Sequence, residues 1–244
     1  MPTPHERAAS TLLARLTCAT VTCGALLCGA SPALAQTQAP VQEDQSAMRA
    51  QAEAGMRQHY LTRTAQYAQD TMPRQVVMLG DSLTEGIDWS AVFPGVTIAN
   101  RGIGGDSTKG MLDRLSSVTD LKPKKIFIMA GINDLSWYGW APAEVFNRYK
   151  QMIDTLAKSG AKLYVQSTLM AGPAFPPATN VAVADLNTRL RDYCRRGHCH
   201  YIDLNPLLAP QGALSLDYTV DHLHLNAAGY EKWAQAIRKP LTGH

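Results

Sequence analysis

From Arg74 onward, short continuous apolar runs alternate with longer stretches whose apolar residues recur every three or four positions. The runs are Gln75–Leu79, Val96–Ala99, Lys125–Met129, Lys162–Gln166 and His200–Asp203. Each is too short for a stable helix and reads as a strand buried on both faces. Between them Thr108–Ser116, Pro142–Lys158 and Asn180–Arg195 carry helical spacing, and Ala227–Arg238 closes the chain. This alternation predicts an α/β fold, a three-layer α/β/α sandwich around a five-stranded parallel sheet. Right-handed crossovers favour a flavodoxin-like strand order. Sites in such sheets lie beyond the carboxyl ends of the strands, so the residues that follow each run are where chemistry is expected.

The chain ahead of the alternation has a different character. Arg7 and Arg15 precede the uncharged run Leu16–Ala30, and Ala33-Leu34-Ala35 supplies small residues at alternate positions. Residues 1–35 therefore read as a signal peptide, with a retained N-terminal anchor as the alternative. Residues 36–73 form an N-terminal extension in which Met48–Ala68 has helical composition, and 74–244 is the main domain. No later stretch reaches spanning length, so the processed chain is expected to carry no integral membrane span and to be exported, periplasmic or secreted. Loss of the leader would remove Cys18, Cys23 and Cys28 and leave Cys194 and Cys199. In an oxidising compartment those two are expected to close a small disulfide loop around Arg195–His198, two free thiols being the alternative. The 23 basic and 20 acidic side chains form no basic stripe, which argues against a nucleic-acid partner.

The residues after the runs carry reactive groups. Gly80-Asp81-Ser82-Leu83-Thr84-Glu85-Gly86 follows the first, and a Ser at a strand end flanked by Gly can stand exposed at the mouth of the sheet. Alone, it could equally be a turn or helix cap. The second run leads to Asn100-Arg101-Gly102-Ile103-Gly104-Gly105-Asp106, where Asp106 is expected to cap the next helix. That loop breaks the dinucleotide pattern at its last position. Gly131-Ile132-Asn133-Asp134 follows the third run; the Asn amide is a neutral donor suited to a carbonyl oxygen that becomes negative, or a turn residue. Asp221-His222-Leu223-His224 precedes the last helix, and a carboxylate three residues before a His can fix the imidazole tautomer. A zinc site on His222 and His224 would need further ligands, and none lies at the usual spacing.

Taken in order, these four segments resemble the signature blocks of the SGNH/GDSL hydrolases, and they span Val76 to Asn226. Ile98 to Asp106 is similar to the branch that includes the platelet-activating-factor acetylhydrolase catalytic subunits and bacterial lysophospholipase-like esterases. The resemblance implies a serine esterase acting on short acyl groups, with Ser82 as nucleophile, His224 as base and Asp221 as its partner. It also implies an oxyanion hole from the Ser82 and Gly105 N–H groups and the Asn133 amide, with no cofactor and no metal. Gly-x-Ser-x-Gly, the α/β-hydrolase signature, is absent around Ser82. The family often shows Asp-Gly-x-His, and here the bulky His222 occupies the small position; the family spacing selects His224 over His222. Trp137, Tyr138, Trp140, Met170 and Phe175 are expected near the mouth, either walling a substrate pocket or packing loops onto the sheet edge. The expected partner is a small-molecule, glycan or lipid ester. Carbohydrate or cell-wall O-acetyl esters and lysophospholipids are the competing natural substrates, and a catalytically silent binding protein is the non-enzyme reading.

Overall fold

The computed structural model describes residues 39–243, so the leader and its three cysteines lie outside the described residues. A long helix, α1 (Ala39–Gln69), leads into strand β1 (Val76–Gly80). Two short helices, α2 (Ser82–Glu85) and α3 (Trp89–Val92), connect it to β2 (Ile98–Gly102). Helices α4 (Thr108–Asp113) and α5 (Ser116–Thr119) lead to β3 (Lys125–Met129), and α6 (Ile132–Ser136) and α7 (Pro142–Ala157) to β4 (Lys162–Gln166). Helix α8 (Pro177–Tyr193) then precedes β5 (His200–Ile202), and α9 (Asn205–Leu208) and α10 (Ala227–Thr242) complete the chain.

The five strands are parallel and lie in the order β2-β1-β3-β4-β5. Every residue of central β1 is buried, as a Val-Val-Met-Leu-Gly run covered on both faces requires. The chain moves one way from β1 to β2 and the other way from β2 through β3, β4 and β5. Right-handed crossovers then put the β1–β2 connection on one face and the helices that connect β2 to β3, β3 to β4 and β4 to β5 on the other, while α10, after the last strand, returns to the first face. Accordingly α7 packs on both α4 and α8, while Trp233 of α10 meets Trp89 of α3 edge-on at 5.0 Å. The reversal opens a crevice at the carboxyl ends of β1 and β3, and Ser82 follows β1 directly.

Several element bounds differ from the sequence expectation, and for three of them polar or Pro residues give the cause. Strand β2 starts two residues later than Val96 and runs on through Asn100 and Arg101. Arg101 is buried there because its guanidinium reaches Asp70 Oδ2 at 3.0 Å and the Ser117 carbonyl at 3.0 Å. The helix expected over Thr108–Ser116 breaks at Arg114, whose side chain turns inward to an acidic partner. Helix α8 begins at Pro177, three residues before Asn180, with Pro in the first turn where its missing N–H is no loss. Beyond α8, Cys194 and Cys199 are joined by a disulfide with Cα atoms 4.5 Å apart. Among the described residues no helix is long and apolar enough to cross a membrane.

Candidate active site

Ser82 is the first residue of α2, immediately past β1. Asp81 caps that helix by accepting the Leu83 N–H at 3.0 Å, and its other carboxylate oxygen is buried without a partner. Burial pushes the Asp81 carboxyl up to about 7, with the neighbouring Asp106 and Asp134 charges adding to the rise. Helix α2 lies directly on the end of β2. A Cβ on Gly102 would come within 2.3 Å of the Glu85 nitrogen, so the approach depends on glycine there. Asn100 ties the two elements by donating to the Thr84 carbonyl at 2.9 Å and the Ile87 carbonyl at 3.1 Å.

The loop after β2 is held from below by an ion pair. Arg114 donates to Asp106 Oδ2 at 2.8 Å and to the Gly80 carbonyl at 3.1 Å, and the two charged side chains are only 3% and 2% exposed. Burial raises the Asp106 carboxyl to about 6, a rise that Arg114 opposes. The expected capping role of Asp106 is corrected here: Ser107 caps α4 by accepting the Gly110 N–H at 3.3 Å, because Asp106 is committed to Arg114. Gly105 has φ +75°, a left-handed conformation that suits glycine. Asn133, on the first turn of α6, donates one amide hydrogen to the Asp106 carbonyl at 2.9 Å. That bond fixes the amide against the glycine loop and leaves its second hydrogen unused by this contact.

Asp221 and His224 come from a loop, not a shared helical turn. Asp221 Oδ1 accepts the backbone N–H groups of Leu223 at 3.0 Å and His224 at 2.7 Å. Its Oδ2 lies 2.6 Å from His224 Nδ1, and His224 Nε2 lies 3.0 Å from Ser82 Oγ, across 142 residues of sequence. Partial burial pulls the Asp221 carboxyl upward, but its bonds to His224 and Leu223 outweigh that and hold it below the ordinary value. Such a chain can move a proton from a hydroxyl to an imidazole whose charge the carboxylate stabilises.

His222 stands apart from that chain. It takes φ +69°, and its Nδ1 is buried without a hydrogen-bond partner. Its Cβ lies 2.9 Å from where a Gly172 side chain would begin, so the room for the imidazole comes from Gly172. Among the described residues no group of three or more His, Cys, Asp or Glu side chains is arranged to hold a metal.

A cleft of about 310 Å³ opens beside the glycine loop; Gly104, Gly105, Tyr138, Trp140 and, from α1, Met56 and Tyr60 line part of it. The charged Glu53, Arg57, Lys109 and Asp113 line another part, and Ser82 and His224 stand outside its lining. Of the aromatic residues singled out in the sequence, Tyr138 and Trp140 reach it, stacked on each other at 4.8 Å. Trp137 does not line it and lies under Arg49 at 5.2 Å, while Met170 and Phe175 pack against the core. The contribution of α1 was not foreseen, since its helical composition carries no sign of which loop it meets.

Residues 78–232 match the GDSL-like Lipase/Acylhydrolase family. The platelet-activating factor acetylhydrolase IB subunit alpha1 of Bos taurus is 27% identical over 181 residues, covering 68% of this chain and 75% of that protein. A candidate platelet activating factor from Streptococcus pneumonia superposes with a TM-score of 0.73 at 23% identity, covering 80% of this chain and 99% of that one. An acetyl-xylooligosaccharide esterase from Geobacillus has a TM-score of 0.59 at 16% identity, covering 71% and 96%.

Proposed function

Because the chain belongs to the GDSL-like lipase/acylhydrolase family, we propose that it hydrolyses esters of short acyl groups through Ser82, His224 and Asp221. The observation that carries this reading is the unbroken relay from Ser82 Oγ to His224 Nε2 at 3.0 Å and from Nδ1 to Asp221 at 2.6 Å. Ser82 Oγ attacks the ester carbonyl while His224 takes its proton, and Asp221 stabilises the imidazolium. The negative oxygen is met by the N–H groups of Ser82 and Gly105 and the free hydrogen of the Asn133 amide. His224 then gives its proton to the departing alcohol. It next activates water, which attacks the acyl-enzyme and releases the acid.

The cleft beside the glycine loop carries the charged side chains Glu53, Arg57, Lys109 and Asp113 as well as Tyr138 and Trp140, a lining with no long apolar channel, and this favours short acyl groups over long ones. Two of the similar proteins, a platelet-activating factor acetylhydrolase and an acetyl-xylooligosaccharide esterase, are named for acetyl esters. Export to an oxidising compartment belongs to the same proposal and is supported by the Cys194–Cys199 bond. A fluorophosphonate probe followed by peptide mapping tests the nucleophile. Label on Ser82, lost in Ser82→Ala together with hydrolysis of p-nitrophenyl acetate, is the expected result. Label on another residue would remove Ser82 from the mechanism. A panel of graded acyl lengths, extended to acetylated glycans and lysophospholipid, then ranks the substrates.

A further inference from the structure

Glu85 is three residues past Ser82 and has no part in the relay, yet three groups converge on it. Its Oε2 accepts the Gly104 N–H at 2.6 Å. His59 Nε2 lies 2.9 Å and 3.1 Å from its two carboxylate oxygens, and Arg63 Nε stands 2.9 Å from Oε1 as an ion pair whose geometry makes no hydrogen bond. Both partners come from α1, which precedes the segment matched by the family. The same helix touches the turn at two more points. Tyr67 donates to the Gly102 carbonyl at 2.5 Å, and Met56 Sδ lies 2.5 Å from where a Cβ on Gly105 would stand.

We propose that Glu85, held by His59 and Arg63, is a positioning residue that fixes the Gly104–Gly105 turn so that the Gly105 N–H faces the developing oxyanion. The inference rests on the reading of Gly105 as an oxyanion donor. A glycine pair is the least restricted stretch of backbone the chain can offer, so a donor on it is pre-organised only if something outside holds it. Glu85 holds the turn at the amide one residue ahead of the donor. Met56 closes the outer side at the donor itself. A bare carboxylate so near a forming negative charge would oppose it, and Arg63 offsets that charge. One side chain thus links the helix that carries the nucleophile to the turn that carries the donor, and α1 locks the link.

The test is steady-state hydrolysis of p-nitrophenyl acetate by the full chain, with inhibition by a trifluoromethyl ketone that adds to a serine to form a tetrahedral oxyanion. Glu85→Ala is expected to lower kcat about 10- to 100-fold with KM within about threefold, and to weaken the ketone by the same factor. Glu85→Gln keeps an amide oxygen for the Gly104 N–H and should restore most of the loss. Should Glu85→Ala fail to fold, the His59→Ala/Arg63→Ala pair carries the test, with an expected loss in kcat of about 3- to 10-fold at an unchanged KM. Unchanged kcat in the folded variants, a loss confined to KM, or a loss that Gln does not restore would each overturn the proposal. Ser82→Ala separates the two readings: if it stays active the triad fails, whereas an inactive Ser82→Ala beside a fully active Glu85→Ala defeats the brace alone.

Discussion

The two sides of the relay are built in opposite ways. On the nucleophile side the polar groups are sealed in: Asp106 and Arg114 are 2% and 3% exposed, and Gly102 lets α2 rest on β2. On the base side Asp221 and His224 are 50% and 41% exposed and are held largely by a short loop's own bonds, with the Gly172 N–H donating to the His222 carbonyl at 2.7 Å from outside. Thr219 Oγ1 donates to the His224 carbonyl at 2.7 Å, Val220 N–H to the same carbonyl at 3.0 Å, and Thr219 bridges Leu225. Ser82, the proposed nucleophile, is thus placed by long-range packing, and His224, the proposed base, mainly by turn chemistry. Damage to the first side should be felt by the whole fold, and damage to the second by the reaction alone.

His224→Ala should show the base side at its sharpest. Turnover is expected to fall about 10⁴- to 10⁶-fold while the melting temperature shifts by no more than about 2 °C. A large loss of stability would mean that the loop is not locally held. Arg114→Met probes the other side. It leaves Asp106 buried without its cation, and urea unfolding should report a loss of about 3–5 kcal/mol. Asp106→Asn in the same background should recover part of that loss, since the uncompensated charge is then gone.

A pH series sharpens the contrast further. Burial raises Asp81 from 3.8 to about 7, so the folded protein holds this proton more tightly than the unfolded chain between those values. Its contribution to stability is complete below 3.8 and is lost as pH rises through about 7. The melting temperature of Asp81→Asn minus that of the wild type should therefore become more positive from about pH 4 to about pH 8. A flat difference would show that Asp81 is charged throughout. The smallest effect belongs to His222→Gly. Glycine relieves the positive φ, so stability should rise by up to about 1 kcal/mol and turnover stay within about twofold. A loss equal to that of His224→Ala would reopen the choice of base.

The strand runs were legible because a parallel sheet buried on both faces tolerates little but apolar residues, and all five were seen within a few positions. Where polar side chains entered the sheet the reading stopped short. Asn100 and Arg101 look like a loop until Thr84, Ile87 and Asp70 are in place to pair with them. The segments Gly80–Ser82, Gly131–Asn133 and Asp221–His224 were legible as candidates, since turn residues and reactive side chains stand next to strand ends. Asp106 was misread as a cap because Arg114, eight residues on, competes for it only once the helix has broken. Met56, His59 and Arg63 gave no signal, since a helix of mixed composition does not announce what it will touch.

By itself, then, the order of apolar runs, glycines and reactive residues determined the architecture and which side chains stand at the carboxyl edge. Those are consequences of local periodicity and of the hand of the crossovers. Where the motif spacing already pointed to His224, the structure sets it against Ser82; tertiary structure alone decided that Ser107 caps α4 and that α1 closes over the glycine turn through Glu85. Each of these turns on a competition between partners that are far apart in the chain. Such competitions are settled by distance and burial, and distance is the quantity a linear order of residues does not contain.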